Sequence, residues 1–449
     1  MIKTIRFVYP NTFMSNCIPI SLAKLISVAI NRTRCYSDIV FHHTTFIEEG
    51  INVNEVKNRI YGMGKQILEK KFEIHDKSID LDHWLNHFIH NCIESDDVIA
   101  ISIVEDTWPF AKRMIQKLGV YPINVVIGGP FVTASYDIIK DKLPNNVSCC
   151  IGDGMSFFGK YLDIVSSMES GQVIKIVDNG ITSSNELDSC VSAYNHIPQV
   201  LGYRFINKIL QKVIPVEINR GCPFNCSYCI NSKHSIQFKQ RSITDINLDL
   251  QYIKTFGPDL IYFIGDVFLK LENLKQLDTL STSYWMNTRP ELIPNDEYVN
   301  YLLSTGCVRC NIGLEHGDDV FRHHMLNRKM RNEDVLRVAK MFKNTTINLV
   351  VNSIIGFPTE NTELLQKTLD MNKQILDINP NVTLSPFICT PYHGTKLKDY
   401  CVEHGLMKKN QFVTKGLIDS GLNVSDIPTN LLLDVHHNFM EYVTGEKKL

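Results

Sequence analysis

The sequence predicts an α/β protein in which a doubly wound N-terminal domain is followed by a partial (β/α)6 barrel and a short helical C-terminal region. The first observation is that strand-like and helix-like segments alternate twice along the chain. The second is that a stretch with little periodicity separates the two alternations. The third is size, because 449 residues with 44% hydrophobic content allow two or three separate cores.

The first alternation predicts a parallel sheet over residues 1–170. Its strand candidates are short apolar runs at Thr4 to Tyr9, Asp38 to Phe41, Val98 to Ile103, Asn124 to Ile127 and Ser148 to Ile151. Helical patterns cover residues 17–31, 53–72, 82–94, 109–118, 135–142 and 156–168. Five strands alternating with helices predict a Rossmann-like domain, which binds ligands at the carboxyl ends of its strands.

The second alternation follows a predicted linker at residues 171–212 and predicts a barrel over residues 213–395. Its strand candidates are Val213 to Asn219, Leu260 to Ile264, Tyr284 to Asn287, Val308 to Gly313, Ile347 to Ile355 and Val382 to Phe387. Six strand-helix units predict an open barrel with its reactive groups at the carboxyl ends of the strands. Residues 396–449 are predicted to form a helical cap.

Composition limits the binding partners and the cellular compartment that we expect for the protein. A formal net charge of -2, from 46 basic and 48 acidic residues, provides no electrostatic footprint for stable nucleic-acid binding. Thirteen cysteines without a recognisable leader predict a reducing, cytoplasmic environment. The most apolar early stretch, residues 17–30, contains Pro19 and Lys24 and is short for a bilayer, so we expect a buried helix and no membrane association.

The most informative motif is a Cys-x3-Cys-x2-Cys loop formed by Cys222, Cys226 and Cys229, directly after the first barrel strand. A 4Fe-4S cluster ordinarily takes four cysteine ligands, so three cysteines leave one iron open to an exchangeable ligand. The alternative is a structural zinc site in which His234 supplies the fourth ligand.

With the aromatic Tyr228 before its third cysteine, this loop resembles the signature of the radical S-adenosylmethionine (SAM) superfamily. The resemblance implies that the three cysteines are the catalytic cluster ligands and that SAM binds the open iron. It also implies that an electron cleaves SAM to methionine and a 5'-deoxyadenosyl radical, with flavodoxin or ferredoxin as a suitable electron donor. The cofactor then performs the chemistry while the protein positions it.

Polar residues at other strand ends match the same resemblance. Asp266 would accept from the methionine ammonium, Arg289 would meet the carboxylate, and Glu315 would bind polar groups of SAM, as Tyr228 would from the loop. Taken singly, a helix cap, a surface ion pair and a strand-end ion pair are the respective alternatives. The turn Ile355 to Pro358 is a further family-like feature, which we interpret as a fold marker.

The N-terminal strand ends resemble the cobalamin-binding domain that precedes many radical SAM barrels. The matching features are Ser102 with the loop Glu105 to Trp108, then Gly128-Gly129-Pro130, then Gly152-Asp153-Gly154. Met155 stands where relatives often carry a second acidic residue, and no Asp-x-His-x-x-Gly is present to supply a histidine to cobalt. The resemblance implies that Glu105 and Trp108 line the lower face of cobalt. The alternatives are a helix-capping or solvated role for Glu105 and core packing for Trp108.

Two other cysteine pairs are predicted to be structural. Cys307 and Cys310 flank the start of the fourth barrel strand, at the end opposite the predicted site, and no nearby cysteine pair completes a ligand set. Cys149 and Cys150 lie within a predicted strand.

Together these features predict a cobalamin-dependent radical SAM methyltransferase that acts on an unactivated carbon or phosphorus of a small molecule or peptide. One alternative is a radical SAM enzyme that catalyses a rearrangement, cyclisation or oxidation, with cobalamin in another role or absent. A non-catalytic cobalamin or redox sensor is the third hypothesis.

Overall fold

The computed structural model describes residues 2, 4–11, 20–32, 38–47, 72–76, 81–94, 97–180, 202–206, 209–232, 238–278, 282–413 and 422–449. The predicted helix at 53–72 lies outside the described residues except for Phe72, which begins a strand. The described chain divides into two compact units, residues 1–215 with 248–259, and residues 216–247 with 260–449. Each unit is described by itself.

The first unit contains a seven-stranded sheet in the order β3-β2-β1-β4-β5-β6-β7. Every neighbouring pair is parallel. The strands are β1 (Thr4–Asn11), β2 (Asp38–Ile47), β3 (Phe72–Asp76), β4 (Val98–Ser102), β5 (Asn124–Gly128), β6 (Val147–Gly152) and β7 (Val177–Gly180). The chain winds outward from β1 on both sides, so the switch point of this doubly wound sheet lies between β1 and β4.

Five strands were predicted for this sheet, whereas the structure has seven. The predicted strands are β1, β2, β4, β5 and β6, and the sequence analysis missed β3 and β7 at the two edges. Strand β7 lies within the predicted linker, and its first three residues are exposed, so it lacks the apolar alternation of a half-buried strand. The sheet therefore continues to Gly180, beyond the predicted boundary at residue 170.

Five helices of this unit lie within the described residues. They span Ile20–Arg32, Leu81–Cys92, Trp108–Leu118, Pro130–Ile139 and Gly154–Ser166. Local sequence explains where two of them begin: Pro109 occupies the first turn of one, and the Asp153 side chain accepts from Met155 N at the start of another. Phe7, Val125 and Leu162 are fully buried in the core of the unit.

A second seven-stranded sheet has the order β16-β15-β14-β13-β12-β9-β8, and the division between the units falls within β9. Its strands are β8 (Gly202–Ile206), β9 (Ile209–Glu217), β12 (Leu260–Ile264), β13 (Ser283–Thr288), β14 (Cys307–Glu315), β15 (Asn348–Ile355) and β16 (Thr383–Ile388). Two short strands, β10 (Asn219–Arg220) and β11 (Lys239–Gln240), pair with each other. The six predicted barrel strands are present, and β8, which pairs antiparallel with β9, lies in the predicted linker.

The described helices of the barrel and C-terminal region alternate with these strands and then cover them. They span Ile243–Ile253, Leu271–Leu274, Asp296–Ser304, Asp319–Leu326, Asn332–Phe342, Thr362–Ile378, Lys396–Glu403, Thr429–His437 and Phe439–Thr444. Leu432 and Phe439 of the last two helices pack with Ile355 and Leu369 in one buried cluster. The predicted fold class is thereby confirmed. None of the described helices has the length and apolarity needed to cross a membrane.

Candidate active site

The cysteine loop is anchored by hydrogen bonds to two helices. Ser227, between the second and third cysteines, donates through its N–H to Leu326 O at 2.9 Å and through Oγ to Met325 O at 2.5 Å. Its carbonyl accepts from Leu397 N at 2.9 Å. The end of one helix and the first turn of another therefore fix the loop that carries the cysteines.

The three cysteines are partly withdrawn from solvent. Cys226 is buried, while Cys222 and Cys229 are half-buried. Burial raises the pKa of the Cys222 thiol and raises that of Cys229 to about 12, with a further contribution from the neighbouring thiols. These thiols are therefore protonated at neutral pH until a metal displaces the proton.

The loop offers three thiols, which is the ligand type of an iron–sulfur cluster. In the part of the chain that the structure describes, no three His, Cys, Asp or Glu side chains are arranged to hold one metal ion. A cubane takes its thiolates at separate iron atoms, so its ligands need not converge on one point. His234, the fourth ligand of the zinc alternative, lies outside the described residues.

Arg289 lies against the cysteine loop. Its Nη1 donates to Cys226 Sγ at 3.3 Å, and its guanidinium stacks on Phe224 at 3.7 Å from the ring centroid. Its Nε donates to Glu291 Oε1 at 2.5 Å. The sequence analysis assigned this side chain to the SAM carboxylate, whereas its contacts in the structure are with the loop and with Glu291. A buried cation at this point stabilises the negative charge of the Cys226 thiolate.

Tyr228, Glu315 and Arg328 form a polar cluster beside the loop, in which Arg328 is buried and the other two are half-buried. Tyr228 Oη donates to Glu315 Oε1 at 3.0 Å, and Arg328 lies 3.6 Å from the same oxygen. Arg328 also donates to Gly313 O at 2.8 Å. Burial and the adjacent carboxylate raise the pKa of Tyr228 well above its usual value, so its hydroxyl remains a donor. The sequence analysis gave Arg328 no role in the site.

The backbone conformation at Glu315 places the carboxylate of this residue over Gly313. Glu315 has a left-handed φ of 64°, and the pairing of β14 with β15 shifts register between Gly313 and Glu315. A Cβ atom at Gly313 would collide with Glu315 Oε1. The glycine at 313 is therefore required for this position of the carboxylate.

Asp266 follows β12 and is exposed at the same end of the barrel sheet. Asn231 Nδ2 donates to its Oδ2 at 2.8 Å, and its own N–H donates to Asn219 Oδ1 at 3.2 Å. Neighbouring protein atoms raise its pKa by partial desolvation, although the side chain still reaches solvent. A carboxylate held in this way can accept from an ammonium group. The sequence analysis did not identify Asn219 or Asn231, whose types also occur in ordinary turns.

His316 and Glu360 are completely buried beneath the Gly-Phe-Pro turn. Glu360 Oε2 accepts from the N–H groups of Gly356 and Phe357 at 2.7 and 2.9 Å. His316 Nδ1 accepts from Asp318 N at 3.0 Å, which places the ring proton on Nε2, 3.5 Å from Glu360 Oε1. This pair links the residue after Glu315 to the turn, and the sequence analysis missed it.

The candidate cobalamin residues lie at one edge of the first sheet. Ser102, Gly128 and Gly152 end the adjacent strands β4, β5 and β6, and Ser102 is in register with Gly128. Gly154 begins the following helix, and a Cβ atom there would lie 3.3 Å from Leu25. The structure therefore brings these residues together where doubly wound sheets bind ligands.

Packing within the chain accounts for some of these glycines. Gly129 has a φ of 106°, and a Cβ atom there would lie 2.7 Å from Ile103 O. Gly152 has a φ of 100°, and its Cβ would lie 2.8 Å from Gly180 O. At Gly128 the nearest atom to a Cβ would be 3.5 Å away, which is an ordinary contact. Gly129 and Gly152 are thus needed by the fold, whereas Gly128 is not.

The side chains assigned to the lower cobalt face are buried. Trp108 is only 4% exposed and packs on Phe131, with ring centroids 4.9 Å apart. Glu105 is 6% exposed in a short 3-10 turn. This placement favours the packing alternative for Trp108, and contact of either residue with cobalamin remains a prediction.

The comparisons with known proteins agree with this site. The sequence profile of the Radical SAM superfamily matches residues 216–371, which contain all seven predicted cluster and SAM residues. An uncharacterized methyltransferase of Pyrococcus horikoshii is 24% identical over 340 residues, covering 69% of this chain and 70% of that protein. The ribosomal protein uS12 methylthiotransferase RimO of Thermosipho africanus is 24% identical over 190 residues, 38% of this chain and 44% of RimO.

Two solved structures share the fold over most of the chain. The radical SAM methyltransferase TsrM of Kitasatospora setae, solved with cobalamin and a [4Fe-4S] cluster, has a TM-score of 0.57 and 13% identity over 90% of this chain and 76% of TsrM. The cobalamin-dependent SAM radical enzyme OxsB, solved with aqua-cobalamin and SAM, has a TM-score of 0.59 and 11% identity over 99% of this chain and 67% of OxsB.

Residues 216–371 of this chain thus match the Radical SAM superfamily. The fold of the chain is shared with TsrM and OxsB, as the sequence resemblance predicted.

Proposed function

We propose that this protein is a cobalamin-dependent radical SAM methyltransferase acting on an unactivated carbon or phosphorus of a small molecule or peptide. The observation that carries the proposal is the anchored three-cysteine loop, with Arg289 Nη1 3.3 Å from Cys226 Sγ. The doubly wound domain that precedes it has the fold of proteins solved with cobalamin. Methyl transfer is further supported by the names of TsrM and of the Pyrococcus relative.

The residues of the chain bind and orient the cofactors. Cys222, Cys226 and Cys229 would hold a 4Fe-4S cluster that supplies the electron for SAM cleavage, while bound cobalamin would supply the methyl group. Asp266 would accept from the SAM ammonium, since Asn231 and the backbone fix its position. Glu315 would accept from SAM polar groups with the oxygen lone pairs that Tyr228 and Arg328 leave available.

A row of polar side chains on one face of the barrel sheet favours a polar substrate. Asn311 Nδ2 donates to Asn287 Oδ1 at 2.7 Å, and Asn287 Nδ2 donates to Tyr262 Oη at 2.9 Å. The two asparagines are in register on neighbouring strands, so they lie on one face of the barrel sheet. All three side chains are half-buried, and amides at such positions can donate to and accept from a substrate.

The proposal is tested by anaerobic incubation of cluster-reconstituted, cobalamin-loaded protein with SAM and dithionite. Mass spectrometry should detect both 5'-deoxyadenosine and S-adenosylhomocysteine, the products expected of radical formation and methyl donation. Cys226→Ala should lose bound iron and 5'-deoxyadenosine, because the cluster loses one of three ligands. Cys149→Ala, which removes a buried thiol of the other unit, should retain both.

The product pattern separates the alternatives. Deoxyadenosine without S-adenosylhomocysteine would indicate a radical rearrangement, cyclisation or oxidation. Transfer of a methylthio group to an added substrate would indicate methylthio transfer, the activity named for the RimO relatives. Iron-loaded protein that forms neither product would support the sensor hypothesis and contradict the proposal.

A further inference from the structure

Glu291 places a carboxylate beside the arginine that contacts the cysteine loop. Its Oε1 lies 2.5 Å from both Nε and Nη2 of Arg289, whose Nη1 donates to Cys226 Sγ at 3.3 Å. The carboxylate, the guanidinium and the thiol therefore form a line of charge-assisted hydrogen bonds. The sequence analysis gave Glu291 no role in the site.

A short 3-10 turn fixes the spacing of these two side chains. The turn spans Pro290–Leu292, and Leu292 N donates to Arg289 O at 3.0 Å. Arg337, on the helix Asn332–Phe342, donates through Nη1 to Ile293 O at 2.6 Å and so ties the end of the turn to that helix. The backbone thus holds the Glu291 carboxylate next to the guanidinium.

Solvent screens this ion pair only in part. The Arg289 side chain is 8% exposed, and its guanidinium is stacked on Phe224. The Glu291 side chain is 23% exposed, but its Oε2 is buried and accepts no hydrogen bond from the residues that the structure describes. Burial lowers the pKa of Arg328, but the acidic groups around it, Glu291 among them, outweigh burial and raise that pKa. The charge of Glu291 therefore acts on buried groups beyond Arg289.

A charge beside a cluster ligand changes the reduction potential of the cluster. Reduction adds one electron, so a nearby cation or a hydrogen bond to the ligand sulfur raises the potential, and a nearby anion lowers it. Arg289 acts in the first direction at Cys226, and Glu291 acts in the second. A cluster with a raised potential is a weaker reductant, so an arginine without a counter-charge would hinder electron transfer to SAM.

We propose that Glu291 sets the reduction potential of the cluster held by the three-cysteine loop, by balancing the charge of Arg289. Glu291 is a positioning residue in this role, because it acts through Arg289 and ligates no iron. The inference rests on the part of the proposed function that assigns a 4Fe-4S cluster to the loop, and it does not depend on methyl transfer.

A redox titration of the cluster-reconstituted protein tests the inference. Dithionite supplies one electron to each cluster and is itself oxidised, and electron paramagnetic resonance reports the reduced fraction at each potential. Glu291→Gln removes one negative charge but keeps an oxygen that accepts from Arg289. The ratio of reduced to oxidised cluster at a fixed potential should therefore rise at least about tenfold, a positive shift of about 59 mV for one electron.

Three further variants separate charge from structure. Arg289→Gln should shift the potential in the negative direction, because it removes the cation and leaves the carboxylate. The double variant Arg289→Gln, Glu291→Gln has no net charge at this pair, like the parent, so its potential should lie between those of the single variants. Glu297→Gln removes the same charge from a carboxylate that is 61% exposed and paired with Lys275, and it should retain the parent potential because solvent screens this charge.

The sign of the shift decides the inference. If Glu291 served only to hold Arg289 in place, Glu291→Gln would lose the hydrogen bond to Cys226, and its potential would fall as in Arg289→Gln. Such a fall, an unchanged potential or a loss of iron from Glu291→Gln would each overturn the inference. A parent protein that binds no cluster would contradict the proposed function as well, and iron analysis of the parent distinguishes that failure.

Discussion

The cysteine loop and the glycine-rich edge of the first sheet both lie at the carboxyl ends of parallel strands, but they differ in what holds them. At the loop, charged and polar side chains from separate segments converge, as Arg289 does on Cys226 and Tyr228 on Glu315. At the edge, Gly129 and Gly152 have to be glycines because a Cβ atom at either position would meet a backbone oxygen, of Ile103 and Gly180 respectively. Side chains that meet in this way indicate a ligand site more strongly than glycines do.

The largest effect is expected at Gly129, and Gly128 provides the matched control. Gly129→Ala should lower the free energy of unfolding by about 3 kcal/mol, because its backbone conformation is nearly restricted to glycine and the new methyl would meet Ile103 O. Gly128→Ala should cost less than about 1 kcal/mol, since its Cβ makes an ordinary contact. Denaturant unfolding measures both.

Gly128→Ala also tests whether Gly128 contacts cobalamin. If Gly128 is small because cobalamin lies over it, Gly128→Ala should reduce cobalamin affinity at least about fivefold while the protein remains folded. Absorbance titration of the reduced protein with cobalamin measures this. Parental affinity in Gly128→Ala would remove Gly128 from the predicted cobalamin contacts.

An intermediate effect is expected at Gly313, which belongs to the polar site at the cysteine loop. Gly313→Ala should weaken SAM binding by roughly tenfold to a hundredfold, because the new Cβ would displace the Glu315 carboxylate. Equilibrium dialysis with labelled SAM on cluster-loaded protein gives the affinity. Gly405→Ala, whose Cβ would meet open space but whose φ of 72° strains any side chain, controls for the destabilisation that follows loss of a glycine and should retain SAM affinity.

Much of the fold could be predicted because most strands are apolar and separated by helical patterns. The exceptions have physical causes: β7 is exposed at a sheet edge, and β8 belongs to a hairpin before the first predicted barrel strand. Hydrophobic periodicity reports burial, so an exposed edge strand gives little signal.

The candidate site could be predicted in part. The cysteines, Asp266 and Glu315 occupy strand ends that a sequence can assign, and the superfamily profile includes them. The partner of Arg289 could not be predicted, because its contact with Cys226 joins residues 63 positions apart. Glu360 was missed for a related reason: its carboxylate accepts from backbone N–H groups of the turn, and backbone donors leave no mark in the sequence.

The smallest effect is expected for Tyr228→Phe, which removes one hydroxyl from the polar cluster. The substitution takes one hydrogen bond from Glu315 but leaves Arg328 beside it, so the carboxylate keeps a charged partner. We expect SAM affinity to fall about three- to tenfold, equivalent to roughly 0.6 to 1.4 kcal/mol, which is the range of one hydrogen bond. Iron content should be unchanged, since the cysteines remain. A loss of iron would show that the hydroxyl supports the loop itself, whereas parental SAM affinity would show that Glu315 is positioned by Arg328 and by the glycine at 313 alone.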